Sequence, residues 1–361
     1  MHVLDGGEHP QLPYFQRATS IELDTLYMAL PPTAGGFPAL ERLFISRCYG
    51  LDLATLILRC SRLRVLRARC FGNVPSLKIH SASLEELVLD KFVVREQDDA
   101  AYSIDIIAPA LKQLMVSFTT RTLHYSVSIS APMLQKLSWH CWYSPKDLTV
   151  GAFWFVMRLW LERPPSSQPN NREGTCLSME IYVHRDQPMD DAHGHFAQEI
   201  EKLPVGDFTV LVLYLNLMDV THVFGPMVLH LLVATNQFRT ATRKLKVVLE
   251  RWPSKAKEAC PPICPCHEPT SNTRRTKTIS LTSLEEVEIQ GFQGLDDDFD
   301  FLKLIFQCAP ILKRMTVKLL DNVAPSKDGW TEIDNTFKKY PSVECYASTS
   351  VSVDATRSAE N

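Results

Sequence analysis

Apolar and polar positions along residues 76 to 139 follow one fourteen-residue phrase written three times. Each copy opens on a short alternating run: Ser76-Leu-Lys-Ile79, Ser103-Ile-Asp-Ile106 and Ser126-Val-Ser-Ile129. Each closes on Leu84-Glu-Glu-Leu87-Val-Leu89, Leu111-Lys-Gln-Leu114-Met-Val116 or Leu134-Gln-Lys-Leu137-Ser-Trp139. In the closing segment the last two apolar positions are two apart, so on a strand they share one face. Both being apolar, that face is the buried one. The leading Leu turns the corner into the strand, and the residues between point outward.

The copies start 27 and then 23 residues apart, within the period of leucine-rich repeats. One such unit cannot bury its own apolar face and needs neighbours to stack on. Related segments flank the three copies: Leu40-Glu-Arg-Leu43-Phe-Ile45, Leu63-Arg-Val-Leu66-Arg-Ala68, Leu284-Glu-Glu-Val287-Glu-Ile289 and Leu312-Lys-Arg-Met315-Thr-Val317. The expected fold is therefore α/β: a leucine-rich-repeat solenoid with a parallel sheet on its concave side and irregular helices and loops on the convex side. Strand alternation assigns Arg42, Phe44, Arg67, Arg69, Val88, Gln113, Met115 and Ser138 to the outward, partner-facing side.

The other elements follow in order. Residues 1–20 are a polar lead-in, with a strand beginning at Ser20-Ile-Glu-Leu23, and the repeat array is assigned to residues 21–252. Leu51 to Cys60 has helical spacing, whereas Phe153 to Leu161 is apolar on nearly all sides and reads as helix or strand. Glu162 to Gly174 is a polar loop, Leu177 to Val183 alternates as a strand, and Val220 to Asn236 is helix-like between the apolar run Phe208 to Leu217 and Leu245 to Leu249. Residues 253–280 form a Pro/Cys-rich linker. Leu295 to Cys308 is a helix with Asp296, Asp297 and Asp298 in its first turn, where the macrodipole favours them. Trp330 to Tyr340 is a short helix, and residues 347–361 are a Ser/Thr-rich, disordered tail.

A formal net charge of −3 argues against a generic nucleic-acid binder. The ten cysteines are scattered, several inside apolar phrases, as expected of buried thiols in a reducing compartment. No basic head with an apolar core opens the chain, and the longest apolar stretch, Phe208 to Met218, is too short to span a bilayer. These features point to a cytoplasmic or nuclear protein without a membrane partner.

Candidate chemistry is sparse. Cys260, Cys264, Cys266 and His267 supply four ligand types, but eight residues stiffened by three prolines do not resemble the two separated knuckles of a zinc site, and no metal is assigned. Arg59, Arg62, Arg64, Arg67 and Arg69 form a basic run that suits a phosphate or acidic partner, with a solvated strand face as the favoured account. His193 and His195 read as a polar loop. The tryptophans are mostly core by pattern, Trp139 at the buried end of its phrase. No Gly-x-Ser-x-Gly, Gly-x-x-x-x-Gly-Lys, Gly-x-Gly-x-x-Gly, His-Glu-x-x-His or Cys-x-x-Cys occurs, so neither an enzyme nor a cofactor is expected.

The stretch Leu284-Glu-Glu-Val-Glu-Ile-Gln-Gly-Phe-Gln-Gly, the apolar helix after it, Ala309-Pro-Ile-Leu-Lys-Arg-Met-Thr-Val317 and the ending Phe337-Lys-Lys-Tyr-Pro-Ser-Val343 resemble the FBD module. That module closes many plant F-box/leucine-rich-repeat proteins, whose grass members also carry a Cys/Pro segment like residues 260–266. The resemblance implies an FBD-like α/β domain over 281–346. It further implies a substrate-recognition role in a Skp–cullin–F-box ubiquitin ligase, with the repeats holding a protein target. No F-box-like helical stretch precedes the repeats, so a Skp-type adaptor is a partner only of a longer form. The alternatives are a repeat protein outside any ligase, competing with full-length relatives for their targets, and a phosphate or nucleic-acid binder through Arg59 to Arg69.

Overall fold

The computed structural model describes residues 15–24, 36–48, 52–73, 76–94, 102–145, 147–150, 154–164, 174–183, 193–217, 224–251, 280–320 and 327–349. Every apolar phrase becomes a strand. In the first part of the chain these are β1 (Ser20–Asp24), β2 (Arg42–Cys48), β3 (Val65–Asn73), β5 (Glu86–Val94), β7 (Gln113–Thr120) and β9 (Lys136–Tyr143). They pair in parallel in that order. The chain divides into two units. The first holds Met1–Asp147, Arg158–Glu173 and Glu199–Val205; the second holds Leu148–Met157, Gly174–Gln198 and Gly206–Asn361.

The first unit is built on a ladder of leucines. Leu43, Leu66, Leu87, Leu114 and Leu137 stand opposite one another in successive strands, each at most 1% exposed. Two residues on, Ile45, Ala68, Leu89, Val116 and Trp139 repeat the ladder. The backbone repeats with them. The carbonyls of Thr19, Glu41, Arg64, Glu85 and Lys112 each accept two successive N–H groups from the next strand's entry. The leading leucines close tight turns, with Leu40, Leu63, Leu111 and Leu134 donating their N–H to Phe37, Cys60, Ala108 and Ala131.

The opening runs of the triple phrase form a layer of their own. β4 (Leu77–His80), β6 (Tyr102–Ile107) and β8 (Tyr125–Ser130) pair in parallel as a second, three-stranded sheet. Irregular helices and loops were expected there. Alternation of Leu77 with Ile79 and of Ile104 with Ile106 supplies a buried face that a sheet can use. Phe118 joins the layers at the core, edge-on to Tyr125 (5.8 Å) and to Trp139 (5.4 Å) and stacked on Phe92 (5.2 Å). A short helix, α1 (Leu53–Leu58), packs beside β4, and Asp52 caps it by accepting the Thr55 N–H at 3.1 Å.

The expectation of an all-parallel sheet fails at one strand. Phe153 to Leu161 falls within β11 (Trp154–Arg163), whose residues 158–163 pair antiparallel to β9. Too few residues separate the two strands for a parallel crossover, and β10 (Thr149–Val150) already occupies part of them.

A buried polar knot ties the end of α2 (His193–Glu201) to this unit. The Glu199 carboxylate accepts from Tyr125 Oη (2.6 Å) and Tyr143 Oη (3.0 Å), and Lys202 Nζ donates to its other oxygen and to the Leu123 carbonyl. His193 and His195, expected in a loop, lie in this helix.

The second unit repeats the scheme. β12 (Thr175–Val183), β13 (Phe208–Leu217), β14 (Lys244–Arg251), β15 (Glu286–Phe292), β16 (Arg314–Leu319) and β17 (Glu344–Thr349) are parallel throughout. The helices α3 (Phe224–Ala234), α4 (Asn236–Ala241), α5 (Asp296–Cys308) and α6 (Lys327–Phe337) alternate with them. The Arg243 and Glu285 carbonyls again take two N–H groups each. β17 extends to Thr349, beyond the start at 347 expected for the tail, because Cys345, Ala347 and Thr349 continue the register of Met315, Val317 and Leu319.

β15 carries a bulge. Its register to β16 shifts between Gln290 and Phe292, where Gly291 has φ +79°. A Cβ on Gly291 would lie 2.2 Å from the Leu249 carbonyl oxygen. Bulges with positive φ also occur at Arg47 (55°) and Lys91 (59°), beside the register shifts of β2 and β5.

Two outcomes follow. Gly291→Ala is expected to destabilise the protein by more than about 2 kcal/mol in urea unfolding, combining left-handed strain with a backbone clash. Glu199→Ala is expected to cost about 3–5 kcal/mol, because it strands the Lys202 ammonium beside two buried hydroxyls.

Candidate functional site

With the leucine ladder buried, the alternate positions of the same strands must line the opposite face. Glu22, Phe44, Arg67, Val88, Met115, Ser138 and Glu162 stand opposite one another across seven strands, from β1 to β11. Five of the eight residues assigned by alternation are in this row. Arg42 and Gln113 stand in the neighbouring row with Val65, Glu86 and Lys136, and Arg69 faces Asp90 in a third. Arg42, Arg67, Arg69, Gln113 and Met115 are exposed, while Phe44, Val88 and Ser138 are half-buried.

Over β1 to β5 this face forms an open depression walled by Glu22, Phe44, Arg67, Arg69, Val88 and Asp90. Arg67 lies over the Phe44 ring, 5.6 Å from its centroid, and its Nε meets Glu86 Oε1 at 2.6 Å. Arg69 meets Asp90 at 3.4 Å. At the edge Arg47 grips Asp24 through two bonds of 2.5 and 2.7 Å and holds that carboxyl below its usual range. The basic run is thus largely matched by carboxylates of the next strand. Arg64 pairs with Glu85 at 2.6 Å, and Lys112 adds a second cation there at 2.9 Å. The Lys112 and Arg64 bonds together lower the Glu85 carboxyl.

The outward face of the second unit is chemically different. Lys244, Glu286, Arg314 and Glu344 form one cross-strand row of alternating charge with contacts of 3.4–3.7 Å. Glu288 lies between Lys246 (3.8 Å) and Lys318 (2.8 Å). Such exposed pairs mainly set register and solubility.

Sequence reasoning missed one part of the first unit's face. Beyond Ser138, β9 continues outward through His140 and Trp142, and β11 sets Glu162, Trp160 and Arg158 opposite Ser138, His140 and Trp142. Trp142 and Trp160 are half-buried on this face, whereas Trp139 and Trp154 are buried as core residues. The signal lay in the continued alternation of Ser138-Trp-His140-Cys-Trp142.

Cys60, Cys141 and Cys308 are buried, and burial pushes the Cys60 thiol up to about 11. Among the described residues no group of three or more His, Cys, Asp or Glu could hold a metal ion. The candidates Cys260, Cys264, Cys266 and His267 lie outside the described residues. No helix among the described residues is long and apolar enough to cross a membrane, which says nothing of a β-barrel.

Asp298, expected only as a favourable first-turn charge, is fully buried. It accepts two bonds from Arg251 (2.5 and 3.1 Å) and the backbone N–H groups of Gln293 (3.0 Å) and Leu295 (3.2 Å).

The FBD family model matches residues 280–317, which cover β15, α5 and the first part of β16. No curated protein and no solved structure matches the chain significantly.

Because Arg67 and Arg69 face Glu86 and Asp90, Arg67→Ala with Arg69→Ala is expected to change unfolding free energy by no more than about 1 kcal/mol. Double substitution by Glu should lower the melting temperature further than the alanines, since it sets like charges against both carboxylates.

Proposed function

We propose that this chain is a leucine-rich-repeat protein acting as a non-catalytic protein-interaction module, of the kind that recognises substrates for a Skp–cullin–F-box ubiquitin ligase. The observation that carries the interaction reading is the outward row of the first unit. A continuous set of exposed and half-buried residues of mixed chemistry is held in register by a fully buried ladder behind it. Repeat arrays present shaped surfaces in this way. The repeating carbonyl pairs and leucine turns of both units support a leucine-rich-repeat reading. The FBD match supports the link to F-box proteins, in which such modules close the repeat region.

Cytoplasmic or nuclear placement and a protein target belong to the same proposal. A Skp-type adaptor is a partner of a form that carries an F-box. An interaction protein outside any ligase uses the same face and differs only in lacking the adaptor. The phosphate or nucleic-acid reading loses ground, because Arg64, Arg67 and Arg69 are already matched to carboxylates.

Affinity purification with the full chain, compared with a Phe44→Ala, Arg67→Ala double variant, tests the reading. A target set recovered by the wild type should fall about tenfold or more in the variant while the melting temperature holds. Undiminished recovery would show that this face is not the binding surface. Targets recovered together with a Skp-type adaptor support the ligase role, and targets without it support the alternative.

A further inference from the structure

We propose that the outward faces of β9 and β11 form a receptor for an acidic peptide segment, in which Arg158 takes a carboxylate of the peptide and the Trp142 and Trp160 indoles pack an adjacent apolar side chain. This rests on reading the sheet face as an interaction surface and narrows it to one partner chemistry. The Arg158 guanidinium carbon lies 4.9 Å from the Trp142 ring centroid and 4.6 Å from that of Trp160. Arg158 stands directly opposite Trp142, and Trp160 directly opposite His140.

Among the described residues Arg158 makes no ion pair, although its charge is felt by the nearby Glu162 carboxylate. Arg47, Arg64, Arg67 and Arg314 each have a carboxylate within 3.4 Å. The Arg158 Nη2 reaches only His140 Nδ1, at 3.5 Å, and its Nε is buried with no hydrogen-bond partner. The nearby carboxylate, Glu162, is engaged instead by His140 at 3.3 Å. That bond, working against burial and joined by the charges of His140, Arg158 and Lys136, holds the Glu162 carboxyl below its usual range, so it remains an anion beside the cluster.

The indoles fix the guanidinium plane and strip water from it. Both effects strengthen a charge-assisted bond to an incoming anion and reduce the ordering cost of making it. Trp and Arg are also the residues most enriched where binding energy concentrates. A singly charged carboxylate suits the place better than a phosphate dianion, because Glu162 on the same face repels the second charge.

A displayed random-peptide library selected on the folded full chain, with Arg158→Gln as comparison, tests the proposal. Enriched peptides should carry Asp or Glu beside an aromatic or aliphatic residue. Their dissociation constants should rise about tenfold or more on Arg158→Gln, and equally when the peptide's acidic residue is replaced by its amide. The peptide substitution needs no protein variant, so misfolding cannot imitate it. Enriched peptides without an acidic residue, or indifferent to both changes, overturn the proposal. Binders lost on Phe44→Ala but kept on Arg158→Gln overturn this site and leave the sheet-face reading standing, whereas a library yielding no binder counts against both.

Discussion

The leucine ladder of the first unit is the constraint on which its other features depend. Five leucines in one cross-strand row are buried to within 1%. Each contributes about 1.5–3 kcal/mol relative to exposure. Because side chains alternate along a strand, fixing that row fixes every residue on the opposite face. A slip of one residue would turn the leucines to solvent and bury Arg67 and Glu86. The paired N–H bonds to Glu41, Arg64, Glu85 and Lys112 lock the same register at the strand entries. Packing and backbone bonding therefore specify one arrangement.

The strands are not uniform along their length. After the ladder, β5 inserts Lys91 in a left-handed conformation, and the buried positions move from Leu87 and Leu89 to Phe92 and Val94. β15 does the same at Gly291, passing from Ile289 to Phe292. In a regular strand without the bulge, a ring three positions on would face the opposite side and leave the core. The matched FBD segment is also bound to what precedes it. Its buried Asp298 receives Arg251 from β14, and β15 pairs with β14 through Lys244 to Val248. A fragment starting at residue 280 would leave Asp298 without its cation and β15 without that neighbour.

Much of this was legible in the sequence. Leu-x-x-Leu-x-apolar gave the strands, their buried face and eight outward residues, because a two-residue period has a single geometric reading. The bulges were written less clearly. Leu89-Asp-Lys-Phe92 places apolar residues three apart, a spacing that suggests a break in alternation without saying that the strand continues. The direction of β11 was not legible, since an apolar run with no period reveals neither its class nor its partner. Nor was Asp298, whose role depends on Arg251, 47 residues earlier. Such long-range pairs leave no local pattern.

The two outward faces show how one backbone plan yields different surfaces. In the second unit the outward charges of Lys244, Lys246, Glu286, Glu288, Arg314, Lys318 and Glu344 meet opposite charges on neighbouring strands. In the first unit the same rule operates for Arg47, Arg64, Arg67 and Arg69. At β9 and β11 the cross-strand neighbours of a cation become indoles, which attract it without neutralising it. Stability alone does not demand that exchange, because a carboxylate opposite Arg158 would satisfy its N–H groups as Glu86 satisfies Arg67. Leaving a buried Nε unpaired carries a desolvation cost of about 1–3 kcal/mol. An arriving anion would recover part of that cost, which is the physical basis for placing the proposed acidic partner at Arg158.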